Sequence, residues 1–431
     1  MTVALIAMLV SLVFFWIVGA PLGYGLIASG CFYLILTGTN LSEAAGSMVG
    51  GITENYVVLA VPLFIFTSYL MNNSGMTDRL FRFAQLLLGR SRGALAQVNV
   101  VATLVFSGMT GSAVADTAGI GVMSVRAMET AGYPKGFACA TTITSSIMGP
   151  LLPPSIPIVI YGFLSNTSIG TLFIAGVLPA VALAIAHMVQ IGYMARRRGF
   201  PRDEWRGWVT IVVAFVAGLP AIAAPAILIV GIYTGIFTPS ESSAVAVLYT
   251  LVVAVLVYRS LSWEGFKRCL AGAVRQTGAV TALIAGAFVI DYGVTASQLS
   301  VRVSNAALSL THSSLVLVLL ATGLVLLLGL MLEVIVLEFV VLPILVPILA
   351  GAHVNMIYYG VVFTFATMIA LGMPTLGTLN FVLSNLTRTP LNEIIHAMWP
   401  FLALLIGGLI ILIFVPELSL WLPRLLHMPT G

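Results

Sequence analysis

Most of this chain consists of apolar runs that contain no charged residue, such as the run from Leu315 to Leu332. Only 7% of the 431 residues are charged, whereas about 25% are charged in a typical soluble domain. So few charges cannot cover a water-facing surface, which excludes soluble globular, nucleic-acid-binding and disordered proteins. Outer-membrane barrels are excluded because their strands alternate over about 10 residues and give no such runs. The sequence therefore predicts an all-α polytopic membrane protein.

Cysteines and histidines give no sign of a metal centre. The cysteines are scattered singly and no two histidines share helical spacing, so we predict neither a disulfide nor a zinc site. The formal net charge of +4 is too small to indicate a polyanionic partner, and no nucleic acid is expected. Residues 1–18 lack a basic leader and a small-residue cleavage site, so we interpret them as a retained first helix.

The basic residues form clusters that the positive-inside rule places on the cytoplasmic face. In chain order they are Arg79, Arg82, Arg90 and Arg92; Arg126 and Lys135; Arg196, Arg197, Arg198, Arg202 and Arg206; and Arg259, Lys267, Arg268 and Arg275. Pairs of apolar runs separate the second cluster from the third and the third from the fourth, as expected for a chain that leaves the cytoplasm and returns. Between the first and second clusters, however, lies the single stretch from Leu95 to Val125.

That single stretch is interrupted by small and polar residues between Ser107 and Ser112. Its length suits a segment that enters the membrane halfway and comes back. Non-helical backbone at membrane depth is tolerated only where it is buried in protein or lines a wet cavity. The sequence therefore predicts a re-entrant hairpin with its tip near residues 107–112.

The next apolar segment is also interrupted. Residues Gly149 to Ser155 include the prolines Pro150, Pro153 and Pro154. Prolines remove backbone donors and unwind a helix, and the carbonyls and helix ends freed in this way can hold a substrate or an ion. We therefore predict a broken helix here.

The second half of the chain repeats this layout. A polar interruption from Gly329 to Glu333 is followed by a break from Gly372 to Asn380, and the two interruptions are as far apart along the chain as their counterparts in the first half. When membrane crossings are counted from the basic clusters, the second hairpin opens to the opposite face of the membrane from the first. The prediction is an inverted repeat whose site lies at the midplane, where two hairpin tips and two helix breaks converge.

Several motifs in this order resemble the large membrane subunit (DctM-type) of tripartite ATP-independent periplasmic (TRAP) transporters. They are Leu59–Phe64, Phe106–Asp116, Gly149–Pro157, Gly235–Glu241 and Pro416–Pro423. The resemblance covers nearly the whole chain. It implies an elevator-type ion-transporter fold in which the hairpins and broken helices slide against a fixed scaffold.

The resemblance implies sodium-coupled uptake of a small organic acid across the bacterial inner membrane, with Na⁺ as coupling ion and no organic cofactor. The implied partners are a small four-helix membrane subunit (DctQ-type), a periplasmic substrate-binding protein (DctP-type) and the lipid bilayer. A single-chain sodium-coupled dicarboxylate carrier or antiporter of related fold is the alternative. An intramembrane hydrolase is disfavoured because neither the first hairpin nor its broken partner offers a histidine as base, so no enzyme is expected.

Repeat and resemblance together divide the chain into alternating scaffold and transport parts. These are residues 1–75, scaffold; 76–92, an amphipathic interfacial arm helix; 93–170, transport domain with the first hairpin and broken helix; 171–258, scaffold; 259–278, a second arm helix; 279–390, transport domain with the second hairpin and broken helix; and 391–431, a C-terminal helix.

Sodium prefers oxygen ligands, which unwound backbone and hydroxyl groups can supply. One ion is predicted between the first hairpin and the first break, at Ser107, Gly108, Thr110, Ser112, Gly149 and Pro150. By the pseudo-symmetry a second is predicted at Gly329, Glu333, Thr375 and Gly377. The family usually has Thr-Pro-Pro-x-Gly in the second break, whereas this chain reads Met373-Pro374-Thr375-Leu376-Gly377, which weakens the case for the second ion.

Substrate is predicted to bind at the helix breaks, where helix starts could present backbone donors to a carboxylate. The predicted residues are Ser145, Pro153, Pro154, Ser155, Thr378 and Asn380. Among intramembrane carboxylates, Asp116 is either functional or a structural partner for backbone donors or Arg126. Glu333 and Glu338 both lie on the second hairpin, and Glu333 is the stronger functional candidate because it is nearer the tip.

Overall fold

The computed structural model describes residues 2–53, 59–88, 93–200, 207–311, 313–374 and 376–430, and within these ranges every regular element is helical. The α-helices are α1 Thr2–Ile17, α2 Leu22–Thr37, α3 Ser42–Thr53, α4 Ala60–Asn73, α5 Met76–Leu88, α6 Ala94–Thr110, α7 Ala113–Asp116, α8 Val122–Thr130, α9 Lys135–Met148, α10 Ile156–Leu164, α11 Ile169–Arg198, α12 Trp208–Tyr233, α13 Pro239–Val252, α14 Trp263–Ala296, α15 Leu299–Leu310, α16 Ser314–Leu328, α17 Val334–Gly351, α18 Met356–Leu371, α19 Thr378–Thr387, α20 Leu391–Phe414 and α21 Glu417–Leu425. A π-helical turn, Thr117–Gly121, joins α7 to α8, and a 3₁₀ turn, Gly149–Leu151, follows α9.

Length and composition make several of these helices able to cross a membrane. In the described part of the chain, seven qualify: Lys135–Leu164, Ile169–Arg198, Val209–Tyr233, Pro239–Val257, Trp263–Ala296, Val334–Gly351 and Leu391–Phe414. Shorter apolar helices, including α1, α2, α6, α16 and α18, accompany them. This architecture agrees with the predicted all-α polytopic membrane protein.

Glycines allow α2 and α14 to pack at very close range. A Cβ added at Gly30 would lie 2.4 Å from Cγ1 of Val289, and one added at Gly286 would lie 2.8 Å from the carbonyl oxygen of Gly23. In a lipid environment, where apolar surfaces gain little by meeting each other, close backbone approach of this kind is what holds helices together. The α2–α14 pair thereby forms a rigid spine, against which α1, α3 and α4 also pack.

A second packed group contains both interrupted helices. The helix α9 packs against α6 and α20, and α18 packs against α11, α16 and α20. Aromatic rings fill this interior: Phe137 contacts Phe401 at 5.8 Å between ring centroids, and Tyr161 contacts Phe363 at 5.7 Å. The amphipathic α5 joins the groups, because it packs against α4 of the first group and α6 of the second, and it also contacts α12.

The second half differs from the sequence interpretation in two details. Residues 259–278 and 279–296 were expected to be an arm and a separate crossing, but α14 runs unbroken from Trp263 to Ala296. It contains no proline, and the side chain of Ser262 caps its first turn by accepting from the Gly265 N–H. The sequence also gave no reason to expect α15, a short helix that packs against α17.

Candidate functional site

The turn between α6 and α7 packs directly against the first helix break, which spans residues 149–155. The helix α6 ends at Gly111, which has φ +62°, and the Ile156 N–H donates to the Gly111 carbonyl at 3.3 Å. A Cβ at Gly111 would lie 2.9 Å from the Pro154 carbonyl oxygen, and one at Gly108 would lie 3.3 Å from that of Pro153. Position 111 therefore requires glycine, because its φ is positive and because a Cβ would collide with the Pro154 carbonyl. The structure thus brings Gly108 and Gly111 of the first turn into contact with Pro153 and Pro154 of the first break.

A buried carboxylate occupies the angle between α6, α7 and the 3₁₀ turn. Asp116 is fully buried, and its Oδ1 accepts a short hydrogen bond from the Thr110 hydroxyl. Among the described residues its Oδ2 and the Ser107 hydroxyl have no partner in full hydrogen-bond geometry, although the two side chains interact with each other. A Cβ added at Gly149 would lie 2.1 Å from Ser107 Oγ and 3.0 Å from Asp116 Oδ2, so these two oxygens face the backbone of Gly149. This set of residues, Ser107, Thr110, Asp116 and Gly149, is called the first oxygen cluster below.

Two predictions for this region concern Arg126 as a partner of Asp116 and the position of Ser112. Arg126 is exposed and forms no ion pair with Asp116, and no other basic residue in the described part of the chain pairs with that carboxylate. The Ser112 side chain caps α7 by accepting from the Ala115 N–H at 3.4 Å, and Ser112 lines the cavity described below. Pro150 lies in the buried 3₁₀ turn directly after Gly149.

The second half builds its turn and break by other means. Glu333 lies at the turn between α16 and α17, where its Oε2 caps α17 by accepting from the Ile335 N–H at 3.0 Å. At Gly329 an added Cβ would lie 2.6 Å from Cβ of Ala370, so this turn also contacts the end of α18. The first and second halves therefore share a layout but place their carboxylates differently.

The second break is held by an amide side chain. Nδ2 of Asn380 donates to the carbonyls of Gly372 at 3.2 Å and Met373 at 2.7 Å. The backbone closes so tightly that a Cβ at Gly377 would lie 2.6 Å from the Leu371 carbonyl oxygen. Asn380, predicted to bind substrate, thus satisfies the carbonyls that the break leaves free. Thr375, predicted as a sodium ligand, lies outside the described residues.

Two further predicted substrate residues, Ser145 and Ser155, are buried and bonded within the protein, whereas Thr378 is exposed. Ser145 donates to the Thr141 carbonyl at 2.7 Å within α9. The Ser155 hydroxyl caps α10 by accepting from the Ile158 N–H at 3.3 Å. Neither side chain lines the cavity, whereas Thr378 does.

A cavity of about 310 Å³ lies where the turns and breaks meet. Its lining comes from α4 and α14 on one side and from both turns and both breaks on the other. The lining residues are Ile65, Gly111, Ser112, Ala113, Val114, Ile156, Pro157, Gln276, Val280, Glu333, Val334, Ile335, Met368, Leu371 and Thr378. The sequence interpretation did not anticipate the α4 and α14 wall, although Gln276 stands out as a polar residue in an apolar segment.

Helix N-termini dominate the electrostatics of this cavity. Ile156, Val334 and Thr378 are the first residues of α10, α17 and α19, and all three line it. A helix N-terminus carries roughly half a positive charge and presents free N–H groups. No lysine, arginine or histidine is among the described lining residues, and Glu333 is the acidic one. Because the Glu333 carboxylate caps α17, the backbone N–H groups at the starts of α10 and α19 are the donors that this cavity offers to a small anion.

Comparison with known proteins agrees with this architecture. Residues 9–418 match the family described as the tripartite ATP-independent periplasmic transporter DctM component. The chain is 37% identical to the sialic acid TRAP transporter large permease protein SiaM of Vibrio cholerae, covering 94% of this chain and 95% of that protein. It is 30% identical to the 2,3-diketo-L-gulonate TRAP transporter large permease protein YiaN of Escherichia coli, covering 93% and 94%.

A solved structure supports the fold alone. The crystal structure of the Alcanivorax borkumensis YdaH transporter matches with a TM-score of 0.59 at 15% identity, covering 87% of this chain and 88% of that one. The family match, extending over nearly the whole chain, is the stronger finding. The chain belongs to the DctM family of TRAP transporter large permease proteins, which are transporter subunits and not enzymes.

Proposed function

We propose that this chain is the large transmembrane subunit that carries a small organic acid across the bacterial inner membrane, driven by sodium. The observation that carries the proposal is the convergence of three helix N-termini on a cavity without a basic side chain. Relatives are named for sialic acid, 2,3-diketo-L-gulonate and C4-dicarboxylate, all of them acids.

Backbone donors suit a substrate that a transporter must release as well as bind. Each helix end contributes about 0.3–1 kcal/mol toward an anion, and up to about 2 kcal/mol where it is partly buried. A lysine or arginine in the cavity would bind a carboxylate more strongly and would itself have to be kept charged within the membrane. We therefore assign the carboxylate of the substrate to the first turns of α10 and α19, beside Thr378.

Sodium coupling is supported by the first oxygen cluster. Among the described residues Ser107 Oγ and Asp116 Oδ2 are buried without a partner in full hydrogen-bond geometry, and both face Gly149. A hard cation with oxygen ligands would satisfy both atoms and would neutralise the aspartate, which has no basic partner in the described part of the chain. Sodium ligation by Gly108 and Pro150 and by the second set, Gly329, Glu333, Thr375 and Gly377, stays part of the proposal. For the Ser112 hydroxyl, which the sequence predicted as a ligand, we propose only the role of capping α7.

An elevator movement is supported by where the cavity lies. One wall belongs to α4 and α14, and the other belongs to the turns and breaks. In the proposed movement the turns enter the membrane as re-entrant hairpins, and the unit that carries the breaks slides along the α2–α14 spine. Because α11 packs against α18 and α20 packs against α9, we place α11 and α20 in the moving unit. The predicted division had instead assigned residues 171–258 to the scaffold and residues 391–431 to a separate C-terminal helix.

Partners follow from the family to which the chain belongs. The proposal includes a small four-helix membrane subunit and a periplasmic binding protein that delivers the acid. The test is uptake of radiolabelled acids into proteoliposomes that contain this chain with both partners. An inward sodium gradient should drive accumulation, and omitting either partner should abolish it. Full uptake by this chain alone would instead support a single-chain carrier.

A further inference from the structure

A second carboxylate on α17 is buried without any partner. Glu338 is fully buried, and neither its Oε1 nor its Oε2 has a hydrogen-bond partner. No ion pair involves it in the described part of the chain. An ionised carboxylate left in such surroundings is among the most costly groups a protein can bury. Nothing in the sodium cluster or the α10 and α19 helix starts uses this residue.

Glu338 lies one helical turn behind the wall of the cavity. Val334 and Ile335 line the cavity, and Glu338 follows them by four and three positions, which places it on the same face of α17. Side chains in a helix lean toward its N-terminus, so that of Glu338 leans toward the turn that forms the cavity wall. The first residues of α10, which also line the cavity, belong to a helix that packs against α17.

No basic group on the neighbouring helices compensates this carboxylate. The helices that pack against α17 are α10, α14, α15, α16 and α18. The helix α16 has no titratable residue. On α14 and α15, Asp291 is half-buried, and the other charged residues are exposed: Glu264, Lys267, Arg268, Arg275 and Arg302. The tyrosines of α10 and α18 do not bond to Glu338: Tyr161 and Tyr358 donate to backbone carbonyls, and the Tyr359 hydroxyl interacts with the Thr322 side chain of α16. Electrostatically, Glu338 interacts with Glu333, another acid.

We propose that Glu338 is a proton-binding site and that a proton binds and leaves there during the transport cycle, so that sodium-driven uptake also depends on pH. A proton needs a single carboxylate oxygen, whereas sodium needs several oxygens, and no second oxygen is bonded to Glu338. As the cavity closes, the carboxylate takes a proton from a hydronium ion in the last water that reaches it and becomes a neutral acid. When the cavity opens and water reaches the Val334 turn, the acid releases that proton.

The inference rests on the proposed function in taking the cavity as the substrate site, so its first test does not require transport. Infrared difference spectra of the purified chain in lipid vesicles, recorded between acidic and alkaline pH, should show the carbonyl band of a protonated carboxylic acid. Glu338→Gln should remove that band, while Glu264→Gln, at an exposed position on α14, should keep it. A band of unchanged intensity in Glu338→Gln would overturn the proposal, whatever the transport result.

The second test follows uptake at a fixed sodium gradient across the same pH range. Wild-type uptake should change with pH, and Glu338→Gln, which mimics the protonated form, should lose that dependence while still requiring sodium. Glu338→Leu, which matches its apolar neighbours, should show the same loss and covers the case in which the amide variant does not fold. A pH profile in these variants identical to that of the wild type would overturn the proposal.

Discussion

The two halves of this chain place a carboxylate beside a turn in the same layout, yet they use it differently. In the first half Asp116 keeps one oxygen without a partner in full hydrogen-bond geometry, next to the Ser107 hydroxyl. In the second half Glu333 caps α17, and Asn380 satisfies the carbonyls of the break. In the first half, oxygens beside the turn have no partner in full hydrogen-bond geometry among the described residues, whereas in the second half Glu333 and the Asn380 amide nitrogen bind the backbone of the turn and the break. The unpaired oxygens of the second half are Oδ1 of Asn380 and the carboxylate of Glu338.

This contrast coincides with the departure from the family pattern in the second break. A lone proline, Pro374, stands where the family usually has a pair, and the break is closed by contacts of Gly377 and by the Asn380 amide. Substitutions in the first oxygen cluster should therefore change sodium dependence. Those in the second break should change stability first.

The largest effect is expected for Asp116→Asn. The variant removes the charge that would attract sodium while keeping the size of the side chain. Hydrogen bonds and contacts to charged groups are worth about 1.5–3 kcal/mol, so the sodium concentration for half-maximal uptake should rise roughly 10- to 100-fold. Glu129→Gln, which removes the exposed ion pair with Lys135, is the matched control and should leave it unchanged. An unaltered sodium dependence in Asp116→Asn would remove Asp116 from the sodium site.

Gly149→Ala should have the next largest effect. Its methyl group would lie 2.1 Å from Ser107 Oγ, in the space where the first oxygen cluster would hold its ion. Overpacking of this kind costs about 1–3 kcal/mol. Uptake at limiting sodium should fall about 10-fold or more, with partial recovery at saturating sodium. Gly278→Ala, whose methyl group would meet no atom within 4 Å, is the control. Equal sodium curves for the two variants would contradict the assignment.

Asn380→Ala tests the opposite role assigned to the second half. It removes hydrogen bonds to the Gly372 carbonyl and to the Met373 carbonyl, of which the latter also accepts from the Gly377 N–H, and this should destabilise the protein by about 1–3 kcal/mol. The melting temperature should fall, and the sodium concentration for half-maximal uptake should stay within about twofold of wild type. A large shift in sodium dependence at unchanged melting temperature would instead make Asn380 part of a binding site.

Ser112→Ala should have the smallest effect. Its hydroxyl caps α7 through a long hydrogen bond of 3.4 Å, and loss of a cap costs about 0.5–2 kcal/mol. A small drop in melting temperature without a change in sodium dependence would match the geometry. A change in sodium dependence as large as that of Asp116→Asn would restore Ser112 as a ligand, as the sequence predicted.

Local interruptions of the helices were predictable from sequence, and the resemblance and the repeat also predicted that the first turn meets the first break, whereas the place of Asp116 in that contact was not predictable. Gly111 and the prolines after Gly149 disturb apolar runs, and such residues act on the backbone within a few positions. The meeting of Asp116 with Ser107 and Gly149 is a tertiary contact that no spacing specifies. The α4 and α14 wall was missed for the same reason.

The α17 start shows how one local signal can indicate two roles. Glu333 was predicted as a sodium ligand, and its position at a helix start is itself a capping signal. The sequence could not decide between these roles, because both place an acid at a turn. The continuous α14 was missed because an apolar run that follows a basic segment resembles a new crossing, although no residue within Trp263–Ala296 breaks the helix.

Direct measurement of sodium binding tests the first oxygen cluster most sharply. Isothermal titration of NaCl into the purified chain in lipid nanodiscs, with KCl as reference, should show saturable heat for sodium and none for potassium. Asp116→Asn and Gly149→Ala should each weaken that binding, and Gly278→Ala should not. Equal heats for both salts, or sodium binding unchanged in Asp116→Asn, would contradict a sodium site built from Ser107, Asp116 and Gly149.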